Sequence, residues 1–243
     1  MVSLAVATPL SLAERAALLL QRVEYRRAET DQDREAIFRL RYDAYVREGA
    51  MAPNFSRSVS DRYDDADNGW VFGVYIDGEL ASSIRVHVGA QSYPDVPNRQ
   101  TFDDLIDPTI ASGKIVIDPT RFVADQAFTV RFPELPYITT RMPHMAAEYF
   151  GADIVLACCR PEHRAFYMRV FGHTLMCEPR LYPGLVKPIS LMMLDYRAQR
   201  QRIVNRYPFF ASTVAEQQAL FGQPVEGLRP LVANAGEVQA LAG

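Results

Sequence analysis

The sequence predicts an α/β domain with a mixed six- to seven-stranded central sheet flanked by helices. Three observations carry that prediction. Hydrophobic periodicity switches between strand-like and helix-like in the order βα, ββ, β, α, β, α, ββ. An Asp77-Gly78 pair between two apolar runs demands an antiparallel hairpin, while two strand–helix–strand runs demand crossovers. Apolar residues make up 49% of the 243 residues and charged ones 23%, enough to bury a core and too apolar for disorder.

The elements follow in chain order. Ser11 and Glu14 have capping-box spacing, so an amphipathic helix is expected within the N-terminal extension, residues 1–20. Residues 23–29 read as a strand. Thr30 with Asp31 and Asp33 marks the start of a helix running to about Val46. Residues 47–68 read as a long polar loop of the kind that carries function. Residues 70–76 and 80–88 form the hairpin. The prolines at 94, 97 and 108 make 90–113 a long connection. A strand over 114–124 is interrupted by Pro119, and 128–136 reads as loop. A helix over 137–150 stops at Gly151, and a strand over 154–159 follows. A helix over 162–171 stops at Gly172, before a final strand pair at 173–178 and 189–196. Helices are expected at 197–206 and 214–221, then a weak tail. The main domain is thus expected at 21–200, with a C-terminal helical extension and tail at 201–243.

Charge narrows the partners. The net charge is −3, which excludes a general polyanion binder such as a nucleic-acid-binding protein. Only Lys114 and Lys187 among the 26 basic residues are lysines. Between Arg121 and Arg206 there are 12 basic and 7 acidic residues, a distribution that suits a small acidic partner. Codon usage accounts for arginine over lysine; arginine forks also hold carboxylates or phosphates. The three cysteines make no disulfide framework and suit a reducing cytoplasm. No apolar run is long enough to span a membrane, and the first 20 residues lack the basic start of a secretory leader. The four histidines have no metal-ligand spacing, so no metal and no permanently bound cofactor are expected.

The order of elements, with the segment PEHRAFYMRVFGH from Pro161 to His173, resembles the GNAT acyltransferase superfamily. The resemblance places Tyr167 where that superfamily keeps a tyrosine to protonate a leaving thiolate. It also exposes a departure. GNAT enzymes hold the coenzyme A pyrophosphate on a glycine-containing loop at a helix N-terminus, and no glycine occurs here between Arg121 and Tyr137.

Further motifs resemble one branch of that superfamily, the acyl-homoserine lactone (autoinducer) synthases and the related N-acyl amino acid synthases. Arg41 and Tyr45 in FRLRYDAYVREG fit an Arg-x-x-x-aromatic signature. Asp61 and Asp64 in SDRYDDAD fit an Asp-x-x-Asp pair. Arg85 in SSIRVHV, Phe102 in TFDDLI, and Asp118, Arg121 and Phe122 in IDPTRFVAD follow at the branch's spacing. PRLYPGLVKP resembles a Tyr-Pro-Gly turn of the amino acid synthases. Val59 and Asp118 stand where autoinducer synthases have glutamates, which favours the amino acid synthase side.

The resemblance implies transfer of a long acyl group to the amine of an amino acid or similar small molecule. The donor would be an acyl-phosphopantetheine thioester, on acyl carrier protein in preference to coenzyme A. Asp118, Arg121 and Tyr167 are the expected catalytic residues. Arg41, Tyr45, Asp61, Asp64, Arg85, Phe102 and Phe122 are expected to bind substrate. Arg131, Arg141, Arg160, Arg164 and Arg169 are expected to dock the acidic carrier. The residues themselves make chemical sense of this, since a carboxylate can orient an ammonium and relay its proton. For Asp118 and Arg121 a structural ion pair is the competing expectation. A coenzyme A-dependent N-acyltransferase and a non-catalytic binding module are the alternatives for the whole chain.

Overall fold

The computed structural model describes residues 9–228 and 230–231. Residues 1–8 of the N-terminal extension, and 229 and 232–243 of the expected tail, lie outside the described residues. Helices are α1 (Leu12–Leu20), α2 (Asp31–Arg47), α3 (Arg99–Ala111), α4 (Gln126–Arg131), α5 (Leu135–Phe150), α6 (Arg164–Val170), α7 (Tyr196–Arg206) and α8 (Val214–Phe221). Strands are β1 (Val23–Arg27), β2 (Gly69–Ile76), β3 (Glu79–Gly89), β4 (Val116–Ala124), β5 (Ile154–Cys159), β6 (Thr174–Leu175) and β7 (Ser190–Asp195).

The seven strands form one sheet in the order β1-β2-β3-β4-β5-β7-β6. Every neighbouring pair is antiparallel except β4 and β5. Helix α5 makes that parallel crossover. Strand β7 then inserts between β5 and β6, antiparallel to both.

Local chemistry sets the element ends. Ser11 and Glu14 complete the expected capping box of α1. Thr30 accepts from the Asp33 N–H to start α2. Asp77 and Gly78 both have positive φ, 52° and 84°, as a two-residue hairpin turn of primed type requires. Gly151, at φ 63°, ends α5.

Three elements depart from the sequence expectation. The connection at 90–113 contains α3. Its backbone breaks at Phe102 and it contains Pro108, but Phe102, Ile106 and Ile110 recur at helical spacing and are buried. That burial outweighs one lost N–H donor. Residues 126–131, expected partly as loop, form α4 because the Asp125 carboxylate accepts from the Ala127 and Phe128 N–H groups. The expected strand at 173–178 shrinks to two residues.

The sheet has a core on each face. On one, α5 packs with α1, α7 and α8 over inward residues such as Phe72, Ile84 and Val86. On the other, Phe102, Ile106 and Ile110 of α3 meet Val116, Leu156 and Leu191. Alternation along β3 therefore sends Arg85 and His87 away from the α5 face.

Replacing Gly78 by valine forces a β-branched residue to φ 84°. We expect a loss of about 1–2 kcal/mol in urea denaturation, the usual cost of left-handed backbone.

Candidate active site

The central strands part where the chemistry is expected. Strands β4 and β5 pair only through Val116–Ile154 and Ile117–Val155. Past that point β4 carries Pro119, which has no N–H to give a ladder. It then bulges: Ser83 faces Val123 and Arg85 faces Thr120, so one residue of β3 spans two of β4. Arg121 takes the strained φ of 55° at the bulge. The extra residue resets the alternation. Arg121 turns to the α2 face beside Thr120 and Arg85, while Phe122 packs into the core on the α5 face.

A cavity of about 490 Å³ occupies the gap. Its lining comes from both faces of the sheet. Tyr45, Leu185 and Ile189 contribute from one, and Thr140, Phe166 and Phe171 from the other. The β4 stretch from Pro119 to Ala124 forms its floor. That volume lies within the usual range for small-molecule sites, ~300–1,000 Å³.

An ion-pair network backs the cavity on the α2 face. Arg41 of α2 donates to Asp64 at 2.8 Å, and Arg85 of β3 reaches Asp64 at 3.0 Å and Asp61 at 2.6 Å. Arg121 of β4 donates to the other Asp61 oxygen at 2.6 Å. Asp61 also caps the short helical turn at 62–65, and Asp64 accepts back from the Asp61 N–H. Two carboxylates of the 47–68 loop thus bind three guanidiniums from three elements. Burial raises the Asp61 pKa, but hydrogen bonds and charge from Arg85 and Arg121 outweigh it and hold that carboxyl well below the usual range. Asp64 is lowered against burial in the same way, chiefly by the charges of Arg41 and Arg85.

The network corrects several expectations. Arg41 and Arg85 are wholly buried and Asp64 nearly so, and none of the three lines the cavity. They hold the site and do not touch what binds in it: Arg85 is taken up by Asp61, Asp64 and Thr120, while Arg41 gives one nitrogen to Asp64 and keeps its Nε and Nη2 unpartnered in the interior. Asp61 keeps a quarter of its side chain exposed but does not line the cavity either. Asp118 is wholly buried and pairs with Asn98, not Arg121. Its oxygens accept from the Asn98 backbone and side-chain N–H groups, and burial pushes its pKa up to about 6. Neither a catalytic Asp118 at the cavity surface nor an Asp118–Arg121 ion pair is present. Phe102 is also wholly buried, in the second core beneath Arg180, and does not line the cavity. Tyr45, Arg121, Phe122 and Tyr167 do line it. Arg121 stacks 5.7 Å above the Tyr45 ring. Burial pushes the Tyr167 phenol up, so it stays protonated at neutral pH.

Sequence reasoning missed Asn98 and took Tyr182 only as part of the Tyr-Pro-Gly turn. The Tyr182 hydroxyl, in the Tyr-Pro-Gly turn, donates to the Pro97 carbonyl at 3.1 Å and fastens that turn beside Asn98. Neither residue carries a motif of its own that names its partner.

The starts of α4 and α5, beside the cavity, are closed to a diphosphate. At the start of α5, Leu135 N–H donates to Phe132 and Tyr137 and Ile138 donate to Glu134, while Pro136 has no N–H. The Glu134 side chain is itself buried there, paired with Arg15 at 2.5 Å. Asp125 takes the N–H groups that open α4. Two carboxylates and one proline therefore stand where an anion would need free donors.

The expected docking arginines divide. Arg131 and Arg169 are exposed and Arg164 half-buried, and among the described residues none is ion-paired. Arg160 is largely buried and bridges Glu48 at 2.9 Å and Glu162 at 3.3 Å. Arg141 cannot dock anything. It is 5% exposed, donates to the Phe209 and Ala211 carbonyls and pairs with Glu216, tying α5 to the segment before α8. Among the described residues no group of three or more His, Cys, Asp or Glu is placed to hold a metal ion. None of their helices is long and apolar enough to cross a membrane.

A family model described as N-acyl amino acid synthase FeeM matches residues 36–195, about two-thirds of the chain. Among solved structures, FeeM from uncultured soil microbes, an N-acyl amino acid synthase, superposes with a TM-score of 0.63 at 17% identity, over 76% of this chain and 96% of that one. The acyl-homoserine lactone synthase LasI gives 0.53 at 14% identity, over 85% and 98%. The coenzyme A-dependent acyl-homoserine lactone synthase BjaI gives 0.52 at 15%, over 76% and 89%. These likenesses establish the fold. A search of curated protein sequences finds no match.

Two stability predictions come from the network. Arg41→Met removes one charged hydrogen bond from the buried Asp64 and leaves Arg85 and the Asp61 N–H to hold it, and we expect a loss of about 1.5–3 kcal/mol in urea denaturation. The aspartates have opposite pH signatures. Asp61 and Asp64 are lowered, so their stabilisation is complete above the ordinary value of 3.8 and fades only as pH falls through their lower folded values. Asp118 is raised to about 6, so the folded chain binds its proton more tightly, and its contribution to stability falls as pH rises between about 3.8 and about 6. Burial lowers His87, His144 and His173, whose contributions rise with pH over the same window, so denaturation curves should show stability climbing less steeply in the native chain than in Asp118→Asn.

Proposed function

The chain belongs to the N-acyl amino acid synthase FeeM family, whose model covers most of its α/β domain, and we propose that it moves a long acyl group from acyl carrier protein to the amine of an amino acid or similar small molecule. The chain is thus an acyltransferase, with residues 21–200 as its catalytic unit. One observation carries the finer reading: a cavity crosses the sheet at the β4–β5 gap, with an arginine–aspartate network on one face and an apolar wall on the other.

The two faces suit two substrates. On the α2 face, three guanidiniums meet two carboxylates, leaving one positive charge in excess. Arg121 is the member that lines the cavity, so its remaining donors take the acceptor's carboxylate. Asp61, behind Arg121 and outside the cavity lining, fixes the guanidinium in place, and the acceptor ammonium releases its proton to water in the cavity. On the α5 face, Phe122, Phe166 and Phe171 enclose the acyl chain.

The amine nitrogen attacks the thioester carbonyl carbon directly. Backbone N–H groups of the β4 bulge, free of a β5 partner, receive the developing oxyanion. As the carbon–sulfur bond breaks, the thiolate takes the phenolic proton of Tyr167. A proton released by the amine then returns to that phenolate. The phosphopantetheine arm threads the gap while the carrier rests outside on Arg131, Arg164 and Arg169.

The closed ends of α4 and α5 support a carrier-protein donor over coenzyme A, because the diphosphate of the latter finds no free donors there. The open cavity weighs against a non-catalytic module. The three free cysteines suit the reducing cytoplasm, where such carriers work.

Expression in bacteria with mass spectrometry of the lipid extract should reveal new N-acyl amino acids. The purified chain should use acyl carrier protein donors at least tenfold better than the matching coenzyme A thioesters, in kcat/KM. Efficient coenzyme A turnover with no carrier-linked turnover would overturn the donor assignment. Arg164→Glu with Arg169→Glu should raise KM for the carrier at low salt, with the difference shrinking as salt rises. Tyr167→Phe should lower kcat about 100-fold or more, as expected on losing a general acid. Arg121→Lys should lose activity, because an ammonium lacks the planar set of donors that bonds Asp61 from one nitrogen and leaves the others for the acceptor's carboxylate.

A further inference from the structure

Two histidines on the α5 face of the cavity are unused by the chemistry above. His144 lies on α5 and His173 just before β6, and both line the cavity. They are 3% and 4% exposed. The Nδ1 of His144 and both ring nitrogens of His173 have no hydrogen-bond partner. The Tyr167 and Val155 carbonyls lie beside the His173 ring without completing a bond. His144 is boxed by aromatic rings, with Phe171 at 4.6 Å, Phe210 at 4.9 Å and Tyr196 at 5.5 Å between centroids. His173 sits 5.5 Å from Tyr167 and 5.8 Å from Phe171.

An apolar wall built only for methylenes has no reason to include these rings. A buried polar group left unpaired is costly, and such groups in native proteins almost always have a partner. Burial also holds both imidazoles neutral, with pKa values pushed down to about 3 and about 4. A neutral imidazole offers one N–H donor and one acceptor nitrogen. A hydroxyl is the matching group, since it donates once and accepts as well. A hydrocarbon chain can do neither.

We propose that the acyl group transferred by this protein carries a hydroxyl, and that His144 and His173 recognise it. The inference deepens the acyl-transfer reading and rests on it for the identity of the ligand. It assigns the two histidines a role in choosing the donor, apart from bond making. Water is the competing occupant, and it would leave the enzyme indifferent to a hydroxyl.

The test compares carrier-linked donors of one chain length: saturated, α-hydroxy, β-hydroxy and terminally hydroxylated. The native chain should prefer one hydroxylated donor at least tenfold over the saturated one in kcat/KM. In His144→Phe and His173→Phe the ratio should fall toward one. A native chain that transfers the saturated donor as well as every hydroxylated one overturns the inference and leaves acyl transfer standing. Transfer from no donor defeats acyl transfer itself. A second measurement then decides the inference alone: the free fatty acids of the same panel are titrated into the native chain while the imidazole signals are followed by NMR. Tighter binding of a hydroxylated acid with shifts at His144 and His173 supports it. Equal binding of all the acids without such shifts overturns it.

Discussion

Guanidinium groups do not remain in a protein interior unless carboxylates meet them there, and this structure is arranged around that demand. Arg41, Arg85 and Arg121 come from α2, β3 and β4, and each needs Asp61 or Asp64 from a loop that would otherwise lie in solvent. Satisfying them pulls the 47–68 loop onto the sheet. It also explains why β4 bulges, because without the extra residue the Arg121 side chain would leave on the opposite face, away from Asp61. Loop position, strand irregularity and one wall of the cavity are thus consequences of a single electrostatic requirement.

Much of this was legible in the sequence because it rests on local chemistry. The capping residues Ser11 and Thr30, the Asp77-Gly78 turn and the Gly151 stop act over a few residues, and their elements stand where those residues place them. Arg41, Arg85, Arg121, Asp61 and Asp64 were recognisable as a set from their order and spacing. Their partition was not. Asp118 found Asn98, twenty residues earlier in the chain, because the α3 approach and the Tyr182 turn bring Asn98 there. Arg141 reads as one more surface arginine until α8 and the 207–211 segment close over it. Helix α3 was hidden by prolines that argue for a loop locally, and only the sheet face it covers makes its apolar residues count.

The donor end shows the same division. The lack of glycine between Arg121 and Tyr137 is visible in the sequence and says that backbone cannot crowd against a diphosphate. What stands there instead is tertiary. Glu134 is held down by Arg15 from α1, so a residue of the N-terminal extension shapes the helix end beside the cavity. The same helix α5 carries Thr140 and His144 into the cavity wall, so electrostatics at its start and polarity along its flank belong to one rigid rod.

The two residue pairs that join β4 to β5 have a consequence for how such a protein changes over generations. The sheet is in effect two leaves, β1 to β4 and β5 to β7, held open like a book by the helix lying across its spine. Elsewhere a sheet fixes its strand spacing through backbone bonds that no substitution can alter. Here the width between the leaves is set by side-chain volume, and so it is open to point mutation. A lineage built on this frame can widen, narrow or re-polarise its interior one residue at a time while every ladder stays intact. Diversity of acyl groups is therefore the variation that this architecture makes easiest to reach.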